Sequence, residues 1–97
     1  MRGNIDENKV SSGWEARGFS FGIWTDPPGQ MWEGYVHEVD ELFMVRDGKV
    51  ELELHGKKFF PEPGKEILIP AKAVHSVRNL GPTISHWFYG YKELISK

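Results

Sequence analysis

Nowhere does this chain sustain a helical apolar repeat over a dozen residues. Instead, turn-forming residues cut it into short apolar runs about every 8–12 residues. The interruptions are Asp26-Pro27-Pro28-Gly29, Asp47-Gly48, His55-Gly56, Pro61-Glu62-Pro63-Gly64 and Gly81-Pro82. Proline cannot donate to a sheet ladder, and glycine admits positive φ, so each break ends a strand for a stated reason. Six to nine short strands joined in this way form a β-sandwich or a barrel.

The runs between the breaks carry strand periodicity. Phe19, Phe21 and Ile23 alternate with Ser20, Gly22 and Trp24. Met31 to His37 is strand-like, and Glu41 to Arg46 encloses the apolar run Leu42-Phe43-Met44-Val45. Asp47-Gly48 then reads as a hairpin turn. In the next strand Val50, Leu52 and Leu54 face one way, and Lys49, Glu51 and Glu53 the other, as in a half-buried antiparallel strand. His55-Gly56 returns the chain into Lys58-Phe59-Phe60. Glu66-Ile67-Leu68-Ile69 reads as a buried run closed by Pro70. His75 to Leu80 and Thr83 to Tyr91 supply the last strands, and Lys92 to Lys97 is expected to add one helical turn. Residues 1–13 are polar and aperiodic and are expected to form a flexible arm, with residues 14–97 as one domain.

With 97 residues and no cysteine, the chain has a small core and neither disulfides nor thiolate chemistry to support it. A metal ion or a second subunit is the remaining means of support. The net charge is −2, with 12 basic residues scattered among 14 acidic ones. That pattern excludes nucleic acid as the expected partner, because phosphate contacts dominate such affinity. The first residues lack the apolar stretch of a secretory signal, and no apolar run reaches the roughly 20 residues of a membrane helix. The expectation is a cytoplasmic protein without membrane contact. The thin core and the abundant aromatic residues suit a homodimer.

Chemistry is concentrated in two of the four histidines. His37 and Glu41 are four residues apart, and even spacing shares a strand face. In a regular strand Tyr35, His37, Glu41 and Phe43 would all point inward, and a bulge at Val39-Asp40 would change that. Val77 and Asn79 would share the face of His75. His55 lies in a turn and takes no role. His86 lines a cavity only if Ile84 and Phe88 also face inward. Trp32, three residues before Tyr35, stands where it could stack on a planar or sugar ligand.

These residues resemble the two motifs of the cupin family. The first runs Gly29, five residues, Tyr35, Val36, His37, three residues, Glu41, six residues, Gly48. The second runs Gly64, five residues, Pro70, Ala71, Lys72, two residues, His75, three residues, Asn79. Tyr35 stands where the family's first motif has a histidine, and Lys72 where the second has a glycine. The resemblance covers about Gly29 to Asn79, with a 15-residue hairpin from Lys49 to Pro63 between the motifs.

The resemblance implies an all-β fold, a small antiparallel jelly-roll β-barrel. It also implies a divalent transition metal held by His37, Glu41 and His75. Iron, manganese, nickel, copper and zinc all accept two imidazoles and a carboxylate. Tyr35 becomes the expected catalytic proton donor or substrate anchor, or a weak fourth ligand. Trp32, Phe43 and His86 become the expected ligand pocket. The expected function is metal-dependent oxygenation or isomerisation of a small organic molecule. The alternative is a non-catalytic ligand-binding or sensor domain with a lapsed metal site.

Overall fold

The computed structural model describes residues 5–93. Eight strands follow one helix: α1 (Glu7–Ala16), β1 (Gly22–Asp26), β2 (Met31–Tyr35), β3 (Glu41–Asp47), β4 (Val50–Leu54), β5 (Lys57–Phe59), β6 (Ile67–Ile69), β7 (His75–Asn79) and β8 (Ser85–Tyr91). They form two antiparallel four-stranded sheets, ordered β1-β8-β3-β6 and β2-β7-β4-β5. The sheets pack face to face as a jelly roll. Phe43, Val45, Ile69 and Trp87 from one sheet meet Val50, Leu52 and Val77 from the other in the shared core. Every strand pairing among the described residues is antiparallel, and the alternation read from the sequence holds where the pairing is regular, with register shifts in β2 and at the end of β3.

The turn at Asp47-Gly48 does not close a hairpin. β3 pairs with β6 and β8, whereas β4 pairs with β5 and β7, so this turn carries the chain from one sheet to the other. Gly48 stands at φ 97° directly over Ser85. The hairpin at His55-Gly56 does form, between β4 and β5. Both its residues take positive φ, 53° and 78°, as a two-residue type I′ turn requires.

Residues 7–16 are helical where the sequence suggested an arm. The Asp6 side chain caps the helix by accepting from the Lys9 backbone N–H at 3.1 Å. Its apolar face is almost a single residue, Trp14, which is 2% exposed and has little periodicity to announce it. Trp14 packs with Phe19, Leu42, Met44 and Phe88 on the outer face of the β1-β8-β3-β6 sheet. Its indole N–H donates to Glu66, and Arg17 pairs with the same carboxylate. The face that β3 and β8 turn away from the barrel is thereby covered.

Two other expectations shift. The run Glu66 to Ile69 is buried only at Ile69, because β6 is a sheet edge and Leu68, on the outer face, is 51% exposed. Lys92 bridges Phe19 in extended form, and the rest of the expected C-terminal turn, residues 94–97, lies outside the described residues. Among the described residues no helix is long and apolar enough to cross a membrane.

Candidate metal centre and pocket

The inner face of the barrel gathers the site from four separate elements. Trp32 pairs with Val77 and Tyr35 with His75 across β2 and β7, with a shift of register between them. Regular alternation would put Trp32 and Tyr35 on opposite faces, since they are three residues apart. The shift, at Gly34 with φ 66°, brings both to the cavity, their rings 6.1 Å apart. One irregularity therefore precedes Tyr35, and β2 ends there: the connection from Val36 to Asp40 is not a strand and bends at Glu38-Val39.

His37 lies beyond the end of β2, on the connection to β3. Three hydrogen bonds hold that connection. The Lys72 N–H donates to the His37 carbonyl at 2.7 Å, the Ala71 N–H to the Asp40 carboxylate at 2.8 Å, and the Lys92 N–H to the Asp40 carbonyl at 2.8 Å. Glu41 opens β3 opposite Ile69 and Tyr91, and His75 opens β7.

One nitrogen or oxygen from each of His37, Glu41 and His75 lies within 4.8 Å of the others. Glu41 Oε1 is 3.4 Å from His75 Nε2 and 3.5 Å from His37 Nε2. Two ligands of one ion, each bonded at about 2.0–2.2 Å, can be no more than about 4.4 Å apart. Both carboxylate–imidazole separations lie inside that limit. His75 Nδ1 is 3.0 Å from the Ala73 carbonyl, which can only accept. Nδ1 therefore carries the proton, and in the neutral ring the lone pair of Nε2 faces Glu41. Glu41 is 4% exposed, and among the described residues its Oε1 has no hydrogen-bond partner. A lone pair facing a buried carboxylate oxygen calls for a cation, either a proton or a metal ion, between them.

The electrostatics agree. Burial works to lower the His75 pKa, but the Glu41 carboxylate and the Ala73 carbonyl outweigh it, and the net shift is upward. Burial, the Glu41 charge and Tyr89 together push the Tyr91 phenol up to about 12, so it stays protonated beside the cluster.

A cavity of about 360 Å³ opens beside these three residues. Trp32, expected in the ligand pocket, and Tyr35, expected as proton donor or anchor, both line it, with Tyr35 42% exposed. Phe43 and His86 do not line it. Phe43 faces inward but is fully buried in the core. His86 occupies the outward position of β8, between the inward Ser85 and Trp87, and meets Asp47 at 2.8 Å. Phe88 shares that outward parity and packs under α1.

Sequence reasoning missed Trp24, Trp87, Tyr89 and Tyr91, which complete the pocket wall. The period-2 run Trp87, Tyr89, Tyr91 was the available signal. It also missed Asp26, taken for a turn residue. Asp26 is 1% exposed and accepts three indole N–H groups: Trp24 at 2.7 Å, Trp32 at 3.0 Å and Trp87 at 3.0 Å.

A family model described as a cupin domain matches residues 22–90. No curated protein matches the chain. Solved structures with the same fold include an oxalate oxidase in complex with the substrate analogue glycolate, at TM-score 0.71 and 20% identity, covering 79% of this chain and 43% of that one. A structure of DMSP lyases aligns at TM-score 0.69 and 21% identity, over 77% of this chain and 38% of that one. The cupin domain of an XRE family transcriptional regulator from Enterobacter cloacae aligns at TM-score 0.72 and 21% identity, over 84% and 90%. The chain thus spans less than half of the two enzyme chains and nearly all of the regulator's domain.

Proposed function

This chain belongs to the cupin domain family, and from that premise we propose that it binds a divalent transition metal through His37, Glu41 and His75 and acts on a small organic molecule held in the adjoining cavity. The observation that carries the reading is the orphaned, buried Glu41 Oε1 faced by two imidazole nitrogens. Two histidines and one carboxylate form the donor set of facial non-haem iron sites, and manganese, nickel, copper and zinc accept it as well. Such an ion, when bound, would supply Lewis acidity toward the substrate. The protein's own residues do the rest. The Ala73 carbonyl fixes the His75 tautomer. The aromatic walls would confine the substrate beside the cluster. Tyr35, stacked at 13° on the His37 ring, presents a hydroxyl at the rim as proton donor or anchor. Oxygenation and isomerisation are the two reaction types this arrangement serves.

The test is elemental analysis of protein purified without a histidine tag, beside the His37→Ala, His75→Ala and Glu41→Gln variants. Near-stoichiometric metal in the parent and its loss from all three variants is the expected result. A parent that takes up none of the five metals on reconstitution refutes the reading.

A second reading has its own support. The regulator domain that aligns over 90% of its length is of similar extent to this chain, which suits a ligand-binding or sensor role without turnover. Ligand affinity unchanged by chelation, with no product formed, would select it. We also take the chain to be a homodimer. Large apolar side chains such as Ile23, Met31, Leu68 and Ile84 are 42–51% exposed. Sedimentation at micromolar concentration is expected to give twice the chain mass, and a monomer mass overturns this.

A further inference from the structure

Three tryptophans form the cavity wall away from the metal cluster, and they are built as a unit. Trp24 and Trp87 face each other across β1 and β8, and Trp32 reaches them from the opposite sheet. Trp24 stands nearly perpendicular to Trp32, at 78° with centroids 5.5 Å apart, and to Tyr89, at 76° and 6.2 Å. Trp87 meets Tyr89 at 66°. These rings touch edge to face and, with Trp24 and Trp87 tilted at 41°, form one continuous aromatic wall along the cavity.

All three indole N–H groups are turned back onto the buried Asp26 carboxylate. The cavity therefore receives no N–H donor from them. On their side it meets carbon and π-electron surface, made more electron-rich by the anion bound at each ring's edge. Among the described residues no lysine or arginine lines the cavity, and Glu41 is its one carboxylate. Apart from the tyrosine hydroxyls and the histidine–carboxylate cluster, the tryptophan wall itself offers no donor to an anionic head group. It offers an electron-rich enclosure to a cation that has no N–H to satisfy.

We propose that this pocket takes a small molecule bearing a methylated onium head, a quaternary ammonium or a sulfonium, seated among Trp24, Trp32, Trp87 and Tyr89. The inference rests on the reading of this cavity as the ligand site but does not require the metal. Asp26 is a positioning residue here, acting through the indoles. A neutral head of the same shape gains the contact area but not the cation–π attraction.

The experiment is titration of tryptophan fluorescence, since three of the four tryptophans line the pocket. Choline and trimethylsulfonium are compared with 3,3-dimethylbutanol, the neutral isostere of choline, at constant ionic strength set with sodium chloride. Each titration is run on metal-loaded and on chelated protein. Saturable quenching by the onium ions, at least tenfold tighter than by the alcohol, is expected in one or both forms. Trp24→Phe keeps a ring but loses the indole and its bond to Asp26, and should weaken the onium preference several-fold while far-ultraviolet circular dichroism stays unchanged. Equal binding of the alcohol and choline overturns the inference, as does a lack of saturation by either onium ion up to millimolar concentration. Metal uptake without onium binding removes this inference and leaves the metal site standing. Onium binding in a protein that takes up no metal supports the inference while the metal site falls.

Discussion

At the residue scale, His75 couples the fold to pH. Its pKa stands above the ordinary 6.5 because the Glu41 carboxylate and the Ala73 carbonyl outweigh burial. A raised folded-state pKa means that the proton stabilises the metal-free fold. That contribution is complete below pH 6.5 and fades as pH rises through the folded value. Metal binding has the opposite sign, because the ion needs the Nε2 lone pair that the proton occupies. Thermal melts with and without zinc or manganese at about pH 5.5 and about pH 8 should therefore diverge. The increment added by metal should be small at the lower pH and several degrees at the higher. An increment that grows on acidification contradicts the assignment. His37, Glu41 and His75 were legible as a set because the spacing within the two motifs names them. Asp26 was not legible, since a lone aspartate before two prolines has the chemistry of a turn. Its three indole partners stand 2, 6 and 61 residues away in sequence.

At the scale of elements, two backbone positions carry measurable cost. Lys72 takes φ 66°, the left-handed conformation that a side chain resists, in the turn that donates to the His37 carbonyl. Lys72→Gly is expected to raise stability by about 0.5–1 kcal/mol, the relief of left-handed strain less the added chain entropy. Urea denaturation measures it, and a loss of stability would show that the lysine side chain contributes more than the strain costs. Gly90 on β8 lies against α1, where an added Cβ would collide with the Ser20 carbonyl and come within 2.9 Å of the Trp14 ring. Gly90→Ala should cost about 1–3 kcal/mol by overpacking, read from the same denaturation. The strands were legible from period-2 alternation and turn residues. The sheet change at Asp47-Gly48 was not, because a turn sequence specifies how tightly the chain reverses and not which edges the flanking strands will find. α1 was missed because its cap and its single tryptophan anchor leave too little apolar periodicity to register.

At the scale of the whole molecule, stability and function are served by opposite faces of one sheet. The inner face of β1-β8-β3-β6 supplies the cavity wall, and the outer face packs under α1. Trp14→Ala is expected to cost about 3–5 kcal/mol, a large share of the about 5–15 kcal/mol that holds a domain of this kind together. The variant should melt well below the parent and bind a hydrophobic dye. An unchanged melting temperature would mean that the helix is an accessory. Metal bound to the folded state alone should offset part of that loss in proportion to the logarithm of its concentration.

The sequence by itself determined the all-β class, most strand positions, the alternation of the regular strands and the set His37, Glu41 and His75, which lies together in the structure. These follow from local rules: alternation, turn chemistry and fixed spacing act over a few residues. Tertiary structure alone decided which face each strand presents to the cavity after a register shift. It turned His86 outward, sank Phe43 below the cavity floor and gathered Trp24, Trp32 and Trp87 around one buried carboxylate. Those outcomes depend on contacts between residues far apart in the chain, and no local pattern encodes which distant strand will lie alongside.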